Sequence, residues 1–389
     1  MEEVDVLRQA RELLASVTLA EYLASQPPRT VVSVTAADPL SQVLRRFAST
    51  RLVAAPCFAD EARTRFLGFL DLMDVVVAVV DAARHQGPAT PTARCSISSS
   101  GSSGTLRHHA ATVARQLAER PVSAVRATAN DAQLVYQAQL GNTLLEVVRE
   151  GFVHPVDDLA CHRLAVFQPS GSEEEGKDVV MGGGSGVLGP MTAADGVGLQ
   201  VTHIVSQSDM LRFLHKHQAQ LGSTLLGSTL QQLGLQGKRV LCVPADLAVI
   251  DALAGMVDAR VPAVAVIDSE ESGRLVGNLS ISDLRGLQPS HFEQLGEPVG
   301  DFLRDGGWRE GARWQGASLL GGVAVKFGIK SPESLPHEPP LAVCRLDSTF
   351  GEVLALLAGR HLHRLFVVDG EGRPVGVVSL TDILSLLAG

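Results

Sequence analysis

One pattern returns four times along this chain, and no other feature constrains its fold as tightly. A strand end runs through a hydroxyl or acidic residue into an acidic helix start. The four instances are Gly68-x-x-Asp71-x-x-Asp74, His203-x-x-Ser206-x-x-Asp209, Gly277-x-x-Ser280-x-x-Asp283 and Gly376-x-x-Ser379-x-x-Asp382. Ser-x-x-Asp at such a junction has two readings. It can cap the helix by satisfying its first backbone N–H groups, or its hydroxyl and carboxylate can face the vicinal diol of a ribose. A single copy is explained by capping alone. Four acidic residues at one point of four similar units are not, and repeats of this size imply modules that bury one another.

The last fifty residues show the unit most clearly. Leu341 to Cys344 reads as a short apolar strand. Asp347 is placed to cap a helix whose Phe350, Val353, Leu354 and Leu357 fall on one stripe. Leu365 to Val368 is continuously apolar, as a strand buried on both faces would be. After the turn Gly370-Glu371-Gly372, Pro374 to Val378 forms a third strand, and Asp382 opens a closing helix. The order is strand, helix, strand, strand, helix, an α/β unit.

Earlier copies follow the same order. A lead-in helix is expected over residues 2–15, then a first unit within 17–82 whose helix starts at Asp38 and carries Leu40, Val43, Leu44 and Phe47. Residues 83–129 read as a linker containing the Ser/Gly run SISSSGSSG (96–104). Thr105 to Arg120 could form a short basic helix there, but neighbouring His108 and His109 do not share a helix face, so a solvated linker is the expectation rather than a metal site. The second unit, 130–217, has a helix over Thr143 to Phe152, the strand Cys161-His162-Arg163-Leu-Ala-Val-Phe167, and an insert at 168–198. That insert holds Glu173-Glu174-Glu175 and the run MGGGSG, which lacks the Lys-Ser/Thr ending of a phosphate loop and reads as surface loop. The third unit, 238–287, keeps its motif intact but has Pro262-Ala263 where the second and fourth have His162-Arg163 and His363-Arg364. A linker, 288–340, carries both tryptophans, Trp308 and Trp314, and the fourth unit closes the chain at 341–389.

Composition narrows the function. A net charge of −9 argues against nucleic acid as main partner. No apolar run approaches the roughly eighteen residues of a membrane helix, and MEEVDVLRQA is no basic-then-apolar leader. Five scattered cysteines have neither metal spacing nor a disulfide framework, which suits a reducing compartment and a cytoplasmic or nuclear protein. Nucleophile elbow, kinase loop and dinucleotide fingerprint are all missing from the sequence, so an enzyme is the weaker reading.

HRLFVVD followed by GVVSLTDIL resembles a CBS domain. Four such units resemble the gamma regulatory subunit of the AMP-activated and SNF1-related protein kinase family, in its plant and algal form. Ala54-Ala55-Pro56, Phe66-Leu-Gly-Phe and Arg212-Phe-Leu are also similar to that family. The resemblance implies two tandem pairs (Bateman modules) in a disc-like, pseudo-symmetric assembly. It implies AMP, ADP or ATP as regulatory ligands, with no catalytic cofactor. The aspartates Asp382, Asp283, Asp209 and Asp74 would grip ribose, beside Ser379, Thr381, Ser280 and Ser206. His162, Arg163, His363 and Arg364 would meet phosphates, each cation able to serve a nucleotide held by another unit. The implied partners are a kinase alpha subunit and a scaffolding beta subunit. The chain departs from the family at Val53, where an arginine is usual, and at Ser208, where a lysine is usual. It also has Asp209 where animal gamma subunits carry a basic residue. A regulator of another target, binding a different adenosyl ligand such as S-adenosylmethionine, is the alternative.

Overall fold

The computed structural model describes residues 6–63, 65–85, 103–126, 135–138, 140–153, 161–169, 190–191, 199–304 and 341–389. Four small sheets recur in the order the motifs predict. In the first unit Val34–Thr35 pairs parallel with Ala54–Phe58, which pairs antiparallel with Phe66–Asp71. The third and fourth units repeat this with Cys242–Pro244, Ala263–Ile267 and Leu275–Ser280, and with Val343–Cys344, Arg364–Val368 and Pro374–Ser379. The second sheet has four strands. Pro190–Met191, from inside the insert, pairs outside Val135–Ala138, which lies beside Arg163–Pro169 and then Leu199–Ser206. The insert therefore contributes a strand.

Helix starts correct two expectations. The helix Phe350–Gly359 is capped by Thr349, whose hydroxyl accepts from Glu352 N while Glu352 accepts from Thr349 N at 3.0 Å, a reciprocal capping box. Asp347 instead stays exposed beside Arg345. Likewise Leu40–Thr50 starts after Pro39, and Asp38 accepts from Thr35 N at 2.9 Å in the preceding turn. The expected helix over Thr143 to Phe152 is α-helical only for Leu144–Glu146, then widens into a π-helix at Val147–Val153. Gly151 sits where that helix touches the sheet: a Cβ there would lie 2.5 Å from Leu164 Cδ1.

The expected linkers hold packed structure. Helices Ser103–Ala118 and Val122–Arg126 occupy the segment read as solvated, and Ala110, Val113, Ala114, Leu117, Val122 and Val125 are buried. Their small residues let the helix lie close against its neighbours, which a charge-based reading overlooks. After the third unit, Pro289–Gly296 and Val299–Arg304 are helical and bury Phe292, Leu295, Val299 and Phe302. At the N-terminus Arg8–Ala15 is followed by a second helix, Leu19–Ala24. Most of the run 96–104, the acidic and Gly-rich parts of the insert, Cys95, Trp308, Trp314 and the side chain of His108 lie outside the described residues.

The segment leading into each unit packs on the other unit of its pair. Leu19 N donates to Asn142 O and Leu144 N to Val17 O, so the approach to the first unit caps the second. Leu40 N donates to Arg120 O and Val122 N to Asp38 O, the reverse exchange. The same crossing joins Leu230 with Ser348 and Phe350 with Ser228, and Val249 with Glu297. Within pairs the sheets meet face to face: Phe66 packs edge-on against Phe167 at 5.2 Å, and Ala265 and Leu275 share a cluster with Phe366 and Val368. Between pairs the contact is helical, first unit with third in one core and second with fourth in another. Each unit thus buries apolar surface against two others, about 1.5–3 kcal/mol for each large side chain fully enclosed.

Candidate functional site

Each motif aspartate spends one oxygen on its own helix. Asp382 Oδ2 accepts from Ser379 N at 2.8 Å and Ser379 Oγ at 2.6 Å, while Asp382 N donates back to Ser379 Oγ. Asp283 and Asp209 repeat this with Ser280 and Ser206. In the first unit Asp74 Oδ2 accepts from Asp71 N at 2.8 Å. The capping reading of Ser-x-x-Asp is therefore realised in the structure. Asp74, Asp209 and Asp283 are buried, whereas Asp382 is half-buried. Capping consumes Oδ2 and leaves Oδ1 to be accounted for.

The partners of Oδ1 separate the clefts. Asp382 Oδ1 lies 3.1 Å from Lys238 Nζ. Asp209 Oδ1 is bonded by Arg212 and lies 3.7 Å from Arg29 Nη1, and buried Tyr22 stands beside it. Burial, then the charge of Asp209, push the Tyr22 hydroxyl's pKa upward. In the first unit the acidic replacement Asp71 uses Oδ1 to accept from Met73 N and Oδ2 to accept from Arg163 Nη1 at 3.1 Å. Arg163 belongs to the second unit, so this cation crosses a unit boundary.

Arg364 mirrors it. Burial lowers the Arg364 pKa to about 10, and the neighbouring charge of Asp283, from the third unit, opposes that fall. His363 is driven down to about 4, by burial first and then by the positive charges of Arg364, Arg163, Arg285 and His162. His162 is also lowered, chiefly by burial and then by Arg163. Two histidines and three arginines from the second, third and fourth units therefore share one electrostatic neighbourhood. Gln207, almost fully buried, ties it together: its Oε1 accepts from Thr381 Oγ1 at 3.1 Å and lies 3.4 Å from His162 Nδ1, while its Nε2 donates to Cys161 O. Three arginines crowded in partial burial, with neutral histidines beside them, form a ready seat for an anion.

The structure brings His162, Arg163, His363, Arg364, Thr381 and Asp283 into that neighbourhood. Ser379 and Asp382 stand at the adjoining helix start. Ser206 lies opposite Arg163 across the sheet, Asp209 is held in an ion cluster with Arg212 and Arg29, and Asp74 accepts from the backbone of Asp71. Sequence reasoning missed Gln207, Arg285, Tyr22, Arg29 and Lys238, and noted Arg212 only as part of the family resemblance. Gln207 and Arg285 were accessible by position relative to the motif, because Gln207 follows Ser206 directly and Arg285 lies two residues after Asp283. Arg29 and Lys238 lie in lead-in segments, and only the chain crossing reveals them.

That crossing also accounts for the motif glycine. A Cβ on Gly376 would lie 2.8 Å from Gln236 O, and one on Gly237, at φ 86, would lie 2.8 Å from Val377 N. Both positions accommodate a neighbouring backbone.

The family model for the CBS domain matches residues 235–289 and 333–389. The chain carries CBS domains. Among curated relatives, this chain is similar to the 5'-AMP-activated protein kinase subunit gamma-3 of Bos taurus, 33% identical over 205 residues, 52% of this chain and 34% of that protein. The human gamma-3 subunit is 33% identical over 196 residues, covering 50% and 34%. The SNF1-related protein kinase regulatory subunit gamma-like PV42b of Arabidopsis thaliana is 27% identical over 203 residues, covering 47% and 50%. The chain thus spans about a third of the length of the gamma-3 relatives. Among solved structures, protein MJ1225 of Methanocaldococcus jannaschii has the same fold, with a TM-score of 0.58, 11% identity, and 95% of this chain and 99% of that one covered.

Proposed function

We propose that this chain is a noncatalytic, adenine-nucleotide-binding regulatory subunit of the gamma type, acting on a kinase of the AMP-activated and SNF1-related group. One observation carries the reading. Cations from three CBS units gather where the motif helices begin, so a ribose gripped at a motif aspartate could direct its phosphates into that shared cluster. Asp382 with Ser379 and Thr381 is the favoured ribose site, and His363, Arg364, His162 and Arg163 the phosphate seat. Asp283 and Ser280 serve a second site beside Arg364. Asp74, Asp209 and Ser206 rank lower, because Asp71 already takes up Arg163 in the first unit and Arg29 and Arg212 neutralise Asp209 in the second. The ring of contacts, first unit to second, fourth and third, supports a disc-like assembly of two pairs. Regulation rather than catalysis, kinase alpha and beta subunits as partners, and a cytoplasmic or nuclear location follow from the same reading.

Thermal shift tests the ligand class. Ligand binding only the native state at a hundred times its Kd adds about 2.7 kcal/mol, so AMP, ADP and ATP should raise Tm where guanosine nucleotides and S-adenosylmethionine do not. A shift with S-adenosylmethionine alone would favour a regulator of another target. Affinity purification from the native source tests the partners: recovery of kinase alpha and beta subunits is expected, and recovery of neither refutes the gamma assignment.

A further inference from the structure

We infer that Lys238 is a specificity-setting gate on the cleft of the fourth unit, holding the outer oxygen of Asp382 until a ribose displaces it; this rests on the nucleotide reading above. Ser379 occupies Oδ2 of Asp382 through both its N–H and its hydroxyl, so a ribose hydroxyl must be received at Oδ1. Lys238 Nζ stands there at 3.1 Å.

The geometry gives the lysine a fixed base and a free head. Lys238 N donates to Val377 O at 3.2 Å, and Val377 N donates to Lys238 O at 3.3 Å, pinning the lead-in segment on the fourth unit's last strand. The side chain is 71% exposed against 14% for Asp382, so it reaches the carboxylate from the solvent side. His363 and Arg364, the proposed phosphate seat, are half-buried, whereas Lys238 meets the carboxylate proposed to hold the ribose. Lys238 therefore acts at the ribose and not at the phosphates.

The other pair holds the same device in a tighter form. Arg29, also just ahead of a first strand, faces Asp209 Oδ1, but Arg212 bonds that oxygen as well. Two guanidinium groups hold the second cleft where one exposed ammonium holds the fourth. An exposed ion pair is readily surrendered, so the fourth cleft opens to ligand at small cost and the second does not.

Calorimetry with AMP and with adenosine on the full chain tests this, comparing the parent with Lys238→Met and Lys238→Arg. Asp382→Asn, which removes the ribose acceptor, assigns the binding to this cleft. Lys238→Met should tighten AMP and adenosine by the same factor, about three- to fivefold on the scale of an exposed ion pair. Lys238→Arg should return both to parent values. Weaker AMP with unchanged adenosine would make Lys238 a phosphate ligand and overturn the gate, as would no change in either. If the parent binds no AMP, the nucleotide reading falls and the gate with it. Parent binding that is lost in Asp382→Asn but indifferent to Lys238 removes the gate alone.

Discussion

The first and third clefts take their cation from a neighbouring strand head, the fourth from a lead-in segment, and the second from a lead-in segment together with Arg212 of its own helix. Arg163 reaches Asp71 and Arg364 faces Asp283 from the half-buried cluster shared by the two pairs. Arg29 and Lys238 reach Asp209 and Asp382 from the solvent side. One repeated motif is thus placed in two electrical settings by pairing alone. The shared cluster is costly to leave without an anion, because its cations repel one another in partial burial. Of the peripheral pairs, Lys238–Asp382 is cheap to break, because water can replace its exposed ammonium, whereas Asp209 is held by two arginines. Binding energy should therefore come from the cluster, and the choice of cleft from the periphery.

Removing the cluster's charge should have the largest effect. A charge-assisted hydrogen bond contributes about 1.5–3 kcal/mol, so Arg364→Met should weaken ATP and AMP by roughly ten- to a hundredfold and leave adenosine nearly unchanged. Equal losses for adenosine and ATP, measured by calorimetry, would move the phosphates elsewhere. Asp382→Asn should weaken AMP and adenosine alike, again by roughly tenfold or more, with a ligand-free Tm close to the parent's because Asn keeps a capping oxygen. Asp74→Asn and Asp209→Asn should do less, the first behind Asp71 and the second inside its arginine cluster. Loss of all binding in Asp74→Asn with none in Asp382→Asn would reverse this ranking.

Acid should expose the strain in the cluster. His363 titrates near 4 in the folded chain against 6.5 ordinarily. Between those values the unfolded chain binds a proton that the native chain refuses, so stability is fully present above pH 6.5 and falls as pH drops toward 4. Tm should fall between pH 7.5 and 5.5, and His363→Gln should flatten that fall. A steeper fall in the variant would contradict it. A bound phosphate raises the histidine pKa, so AMP binding near pH 5 should take up protons, seen as a buffer-dependent heat.

The smallest effect belongs to the surface contact between pairs. Arg84 and Asp258 form a two-pronged bond at 2.9 and 2.8 Å, both about 40% exposed. A double-mutant cycle should give about 0.5 kcal/mol; several kcal/mol would mean that the pairs are held together by charge rather than by their helical cores.

Much of this was legible in the sequence because each unit's signals are local. The stripe Phe350, Val353, Leu354, Leu357 and the apolar run Leu365 to Val368 decide their own structure and are buried as expected. Caps were less legible: Asp347 and Asp38 look like caps, but Thr349 with Glu352 wins one helix start and a chain crossing organises the other. The π-turn at Val147–Val153 has no local signature, since it answers to the close packing of Gly151 on Leu164. The cation pairings were least legible. His-Arg before a strand names two candidate cations, but which carboxylate each meets depends on units far apart in sequence. Lys238 and Arg29 become visible only once the lead-in segments are seen to cross.

A crystal structure of the full chain with AMP tests the central claim most directly. The account predicts the ribose hydroxyls on Asp382 Oδ1, Lys238 displaced from it, and phosphate oxygens within about 2.7–3.2 Å of donors on Arg364, His363 or their neighbours. AMP bound with its phosphate in solvent and the shared cluster untouched would contradict it.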